Sequence, residues 1–67
     1  MRIIINSQET LIPDNINTVS KLLEFQNIPE EGTGVGLNNR LIEARNRPTT
    51  LLQNGDNVII ISATFGG

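Results

Sequence analysis

Cysteine and histidine are both absent from this sequence of 67 residues. Without cysteine the chain forms no disulfide, and without either residue the usual ligand sets for zinc are missing. The thiol nucleophile and the imidazole base of many enzymes are also excluded. We therefore expect no metal site, and a fold that depends on apolar packing alone.

Aromatic residues are scarce, and charges of one sign form no cluster. The two aromatic residues are Phe25 and Phe65, and five basic residues stand against seven acidic ones. A nucleic-acid-binding domain needs a basic surface that neutralises phosphates, so this class is not expected. No apolar run approaches the roughly 20 residues of a membrane span, and the opening MRIIIN is too short for a signal peptide. We expect a cytoplasmic protein with no nucleic-acid or membrane partner.

The seven carboxylates are spread along polar stretches of the sequence. This spacing is typical of solvated surface charges and not of a paired acid and base. The length predicts one domain over residues 1–67, with little room for a substrate pocket of about 300 Å³ or more. We therefore expect a binding or carrier module and not an enzyme.

The first half of the chain changes from a strand pattern to a helix pattern. MRIIINSQ followed by ETLIP indicates a β-hairpin that opens the fold. Val19, Leu22 and Leu23 then have the spacing of one apolar helix face, and Thr18 is the expected N-cap. We predict a short amphipathic helix whose apolar side lies on a sheet.

The second half contains a further hairpin and a final strand. LNNRLI predicts a hairpin with Asn38 and Asn39 in its turn, because asparagine tolerates positive φ. Pro48 predicts the start of a helical turn that brings Leu51 and Leu52 inward. After the turn signal QNGDN, VIIIS reads as the last strand.

Taken in order, these elements predict an α+β, ubiquitin-like β-grasp fold. The expected sheet is mixed, has four to five strands and carries one main helix across one face. A right-handed crossover places the first and last strands side by side and parallel at its centre.

The last strand is apolar at every position from Val58 to Ile61, so both of its faces favour burial. One face packs on the helix, and the other presents Ile59 and Ile61 beside Ile4 of the first strand. These residues are either core or scattered surface apolars, or they form a partner-docking face on the open side of the sheet.

The whole chain resembles the ThiS family of sulfur carriers in thiamine biosynthesis. The resemblance rests on a combination of short features, namely the strand that begins at Met1, Thr18-Val19 at the helix entry, Leu22-Leu23, the mid-chain asparagines, Gly55-Asp56 and the final Gly66-Gly67. Residues 43–50 depart from the family pattern, because charged Arg47 stands where a bulky apolar residue is common.

The resemblance implies that the carboxylate of Gly67 is adenylated and then converted to a thiocarboxylate. It implies three partners: a ThiF-type adenylating enzyme that uses ATP, a cysteine desulfurase as the sulfur source, and thiazole synthase as the acceptor. No cofactor is bound by the chain itself.

Residues 63–67 are expected to form a flexible C-terminal tail that enters a partner's active site. Gly66 and Gly67 lack Cβ atoms and let narrow walls approach closely, whereas Phe65 either seats the tail on a partner or folds back on the domain. Three alternatives stay open: a sulfur carrier for molybdopterin synthesis, a ubiquitin-like protein modifier, and an interaction domain without chemistry.

Overall fold

The computed structural model describes residues 1–62, and its elements follow the predicted order. The elements are β1 (Arg2–Ile5), β2 (Gln8–Leu11), α1 (Val19–Phe25), β3 (Thr33–Leu37), β4 (Arg40–Leu41), a 3-10 helix (Ala44–Thr49) and β5 (Asn57–Ser62). Hairpin, helix, hairpin, helical turn and final strand therefore succeed one another as expected.

The five strands form one mixed sheet in the order β2-β1-β5-β3-β4. β1 and β5 lie side by side and parallel, with Ile4 opposite Asn57 and Ile5 opposite Val58. The other neighbouring strands are antiparallel. With α1 packed on one face, this is a β-grasp, and the predicted fold class is confirmed.

Both hairpins turn through two consecutive residues with positive φ. Asn6 and Ser7, at φ 48° and 70°, connect β1 to β2, and Asn38 and Asn39, at 50° and 69°, connect β3 to β4. Two left-handed residues in succession are typical of a type I′ turn, whose twist matches that of the flanking strands. Asparagine is among the residues that tolerate this conformation best, which explains its use in both turns.

Helix α1 begins at a side-chain cap and ends at a left-handed residue. The Thr18 side-chain oxygen accepts a hydrogen bond of 3.1 Å from the backbone N–H of Lys21, as predicted. Asn27, at φ 59°, turns the chain away after the last turn. The helix covers the sheet with Val19, Leu22 and Leu23, all fully buried.

The core lies between α1 and the inner face of the sheet. Its buried apolar members come from the helix, the strands and the connecting segments, and they are Ile3, Ile12, Val19, Leu22, Leu23, Ile28, Val35, Leu52, Val58 and Ile60. Each lost side-chain methylene here costs on the order of 1 kcal/mol, so this cluster carries the stability of a chain without cysteine.

Two predictions for the segment before β5 are wrong. The helical turn begins at Ala44, and Pro48 lies near its end instead of its start. Leu52 is buried, but Leu51 is 63% exposed. The reason is local: Leu51 forms a β-bridge with Thr18, and consecutive residues of an extended segment point to opposite sides. Only one of the two leucines therefore reaches the core.

Arg47 is the one charged side chain that is buried among residues 1–62, with 4% exposure. Its guanidinium donates to the carbonyl oxygens of Glu30, at 3.1 Å, and Thr33. Its Nη1 also lies 3.7 Å from the Glu30 carboxylate. The charge is thus tolerated inside because its donors are directed at backbone acceptors at the start of β3.

Candidate docking face

The side of the sheet opposite α1 is an exposed apolar face formed around β5. Val58 and Ile60 point inward and are at most 3% exposed, whereas Ile59 and Ile61 point outward and are 44% and 71% exposed. This alternation follows from the two-residue period of a strand. The predicted burial of one face of β5 is therefore observed, and the other face is open among the described residues.

Two glycines of β3 lie directly opposite these isoleucines. Gly34 pairs with Ile61 and Gly36 pairs with Ile59, so all four residues face the same side. Because the glycines have no side chains, the surface sinks between β5 and Leu41 of β4. The result is an apolar groove of about 270 Å³, and the residues that line it are Gly34, Val35, Gly36, Asn39, Arg40, Leu41, Ile59 and Ile61.

The apolar surface continues past β5 toward the other edge of the sheet. Ile4 shares the outer face and is half-buried, so it supports the face more than it projects from it. Beyond it, Arg2 and Glu9 form an exposed ion pair of 3.2 Å. Leu11, 75% exposed, ends the face on β2. Of the three predicted docking residues, Ile4, Ile59 and Ile61, Ile61 is therefore the most exposed.

A second, more polar depression lies at the end of β5. It has a volume of about 620 Å³ and is lined by Glu30, Glu31, Gly32, Thr33, Gly34, Ala44, Arg47 and Ile61. Ile61 belongs to both depressions, so the two join where β5 ends at Ser62. The chain passes from this junction into residues 63–67.

Within residues 1–62 the polar side chains near the two depressions are either used by the fold or exposed. No cluster of three or more metal-ligating side chains occurs in this part of the chain. Asp56 is half-buried but is used by the fold: its carboxylate accepts hydrogen bonds from the Gln53 N–H, at 2.7 Å, and the Asn38 side chain, at 3.0 Å. The remaining carboxylates are exposed, as predicted.

The predicted site residues fall into two groups. Ile4, Ile59 and Ile61 lie together on the outer face, while Phe65, Gly66 and Gly67 lie outside the described residues. Sequence reasoning missed the two β3 glycines. Their signal was present in GTGVG, where glycine at alternate positions of a strand leaves one face bare.

The sequence matches the model of the ThiS family over residues 1–67, its whole length. The chain belongs to the ThiS family. No curated protein matches the sequence. Membership of the ThiS family supports a role as a small sulfur carrier that works with enzymes of the thiamine pathway.

Solved structures agree with the fold of this ThiS-family chain. A crystal structure of the thiamine biosynthesis protein ThiS from Geobacter metallireducens has a TM-score of 0.83 at 22% identity, covering 92% of this chain and 93% of that one. A solution structure of a thiamine biosynthesis protein from the same organism has a TM-score of 0.78 at 22% identity, covering 91% and 81%. At this identity the likeness establishes the fold.

The described part of the ThiS-family chain offers nothing that spans a bilayer as a helix. Its α-helix covers seven residues, Val19–Phe25, and residues 1–62 contain no longer apolar helix.

Proposed function

We propose that this chain carries sulfur for thiazole formation in thiamine biosynthesis, as a thiocarboxylate on Gly67. The observation that carries the proposal is the family match, which runs through the final Gly66-Gly67. The absence of cysteine from the sequence supports it, because the chain has no thiol on which to hold sulfur. The carrier is then a substrate of its partners and not an enzyme.

The chemistry proceeds in three steps on the partner enzymes. In the first, a carboxylate oxygen of Gly67 attacks the α-phosphorus of ATP and pyrophosphate leaves, which gives an acyl-adenylate. In the second, a persulfide sulfur supplied by a cysteine desulfurase attacks the acyl carbon and AMP leaves. In the third, a second partner thiol attacks the cysteine-side sulfur of the resulting acyl disulfide. The S–S bond breaks, the thiocarboxylate leaves, and the two partner cysteines remain joined as a disulfide.

The exposed face is proposed to hold such a carrier on its partner while its end reacts. Ile59 and Ile61 belong to the strand that leads into residues 63–67, so a partner that grips them holds the base of the tail. Extended, residues 63–67 span at most about 17 Å, enough to reach into a narrow channel. Gly66 and Gly67 then pass between walls that a Cβ atom would keep apart.

The partners proposed are a ThiF-type adenylating enzyme, a cysteine desulfurase and thiazole synthase, and the proposed location is the cytoplasm. ATP is used by the adenylating enzyme, and the chain itself holds no cofactor. Phe65 is proposed to contact the partner's surface on the path to the active site.

ATP–pyrophosphate exchange tests the proposal. A ThiF-type enzyme is expected to exchange labelled pyrophosphate into ATP when the chain is added, and not when a version lacking Gly66 and Gly67 is added. Exchange that does not depend on these two residues would favour an interaction domain without chemistry.

Acceptor enzymes then separate the remaining functions. The thiocarboxylated chain is incubated with thiazole synthase and, in parallel, with the large subunit of molybdopterin synthase. Transfer of sulfur to the thiazole product supports the proposal, and transfer only in the second reaction replaces it with the molybdopterin route. A ladder of lysine conjugates in cell extract would indicate a protein modifier instead.

A further inference from the structure

Asn6 holds β5 at a point where β1 has already ended. The backbone pairing of β1 with β5 stops at Ile5 opposite Val58. Asn6 still donates its backbone N–H to the Val58 carbonyl, at 2.9 Å, and then turns into the first hairpin with φ 48°. Beyond this residue the backbone of β1 supplies no further partner for β5.

The side-chain amide of Asn6 continues the ladder in place of the backbone. Its Oδ1 accepts a hydrogen bond of 2.8 Å from the N–H of Ile60, and its Nδ2 donates one of 3.1 Å to the Ile60 carbonyl. One side-chain amide therefore pairs both polar backbone groups of a buried residue, as a peptide unit of a neighbouring strand would. Asn6 and Ile60 are 54 residues apart in the chain.

Asparagine combines the three properties that this position needs. It tolerates the left-handed backbone of the turn, and its short side chain carries one donor and one acceptor. Glycine keeps the backbone conformation but loses both groups, and aspartate keeps the acceptor but loses the donor. The other side of β5 pairs with β3 out to Thr33 opposite Ser62, so β5 is held on both sides as far as Ile60.

We propose that Asn6 is a positioning residue for the modification of Gly67. By fixing Ile60 from the β1 side, its amide sets the position and direction in which β5 delivers Ser62 and the residues that follow to the adenylating enzyme. This role rests on the proposed function, since it concerns presentation of the chain end. Asn6 itself touches no reacting atom.

Two glycine variants test the proposal against a matched control. Asn6→Gly removes the amide, whereas Ser7→Gly changes the adjacent turn residue, which also has positive φ and makes no side-chain hydrogen bond to Ile60. Asn6→Asp keeps the acceptor and serves as the conservative variant. For each protein, exchange of the Ile60 amide with D₂O is measured by NMR, and kcat and KM are measured for adenylation below the unfolding transition.

The expected result is selective for Asn6. The two hydrogen bonds between the Asn6 side chain and the Ile60 backbone form a clamp that Asn6→Gly removes. In this variant the Ile60 amide therefore exchanges about tenfold faster or more, and kcat for adenylation falls about fivefold. Asn6→Asp lies between this variant and the wild type, and Ser7→Gly matches the wild type in both measurements.

Three results would overturn the inference, and they are distinguishable. Unchanged exchange at Ile60 in Asn6→Gly means that the clamp does not hold β5. Faster exchange with unchanged kcat means that the clamp is structural and does not position the chain end. If the wild-type chain is not adenylated at all, the proposed function and the positioning role fail together, while the exchange measurement still decides whether the clamp exists.

Discussion

The guanidinium of Arg47 donates a hydrogen bond to the carbonyl oxygen of Thr33, the first residue of β3. At this point β3 has lost its neighbour on one side, because the pairing with β4 covers Gly36 and Leu37 and the two-residue β4 reaches no further. The Arg47 side chain thus covers part of an otherwise open strand edge.

The stability that residue 47 contributes is expected to depend on the volume of its side chain more than on its charge. Arg47→Ala leaves a cavity and removes the Arg47 hydrogen bonds to the Thr33 and Glu30 carbonyls, of which the Glu30 carbonyl still accepts one from the Thr33 N–H. We expect it to lower the free energy of unfolding by about 2–3 kcal/mol. Arg47→Leu fills the space and removes the cost of a buried guanidinium whose Nε has no partner among residues 1–62, so its loss should be under about 1 kcal/mol. Urea denaturation of the three proteins measures both differences. Equal losses for Ala and Leu would mean that the hydrogen bonds outweigh the packing.

A charge placed on the outer face should weaken docking when it lies on β5 and not when it lies elsewhere on the face. Ile61→Asp is expected to weaken binding to a ThiF-type enzyme about tenfold or more, because it puts a carboxylate at the centre of an apolar contact. Leu11→Asp is the matched control, since Leu11 is as exposed as Ile61, lies on the same face and is two strands away. Calorimetric titration measures the two dissociation constants. Similar losses for both variants would argue against a contact centred on Ile61.

The apolar groove beside Gly34 and Gly36 leads to a separate prediction. A Cβ at Gly36 would lie 3.8 Å from the Arg40 carbonyl oxygen and 4.0 Å from the Ile59 Cβ, which are ordinary contact distances. Gly36→Ala should therefore fold normally but weaken docking about fivefold, because its methyl group occupies the space for a partner side chain. In contrast, Gly55→Ala at φ +89° should cost about 1–2 kcal/mol of stability and leave docking unchanged. If Gly36→Ala binds as well as the wild type, the groove is not used.

Acid should remove one contact at the start of the chain. The hydrogen bond from the Met1 ammonium, together with its charge, lowers the pKa of the Asp14 carboxyl below its usual value of 3.8. A carboxyl whose pKa is lower in the folded state stabilises the fold above the unfolded pKa, and this contribution is lost as the pH falls through the folded pKa. Wild type should therefore melt above Asp14→Asn near neutral pH, with the difference closing below pH 3.8. Melting curves that differ equally at all pH values would contradict this linkage.

Features encoded by neighbouring residues could be predicted from the sequence. The Thr18 cap, the Asn38-Asn39 turn and the parallel pairing of the first and last strands follow from local chemistry and the order of elements, and the structure has all three. Ile59 and Ile61 were also expected on one face, because alternation in a strand is a local rule. Their role as a docking face stays a prediction.

Features that depend on register could not be predicted. Pairing of Leu51 with Thr18 decides which leucine of the pair is buried, and no local pattern encodes that bridge. The clamp between Asn6 and Ile60 joins residues far apart in the chain, and the buried Arg47 finds acceptors 14 and 17 positions away. The groove could be recognised only from the pairing of β3 with β5, which places Gly34 and Gly36 opposite Ile61 and Ile59.

Intact mass spectrometry tests the central claim most directly. The chain is incubated with ATP, a ThiF-type enzyme and a persulfide source, and a gain of about 16 Da is predicted, the difference between sulfur and oxygen, with fragmentation assigning it to Gly67. An unchanged mass, sulfur located on any other residue, or a mature polypeptide that continues past Gly67 would contradict the account.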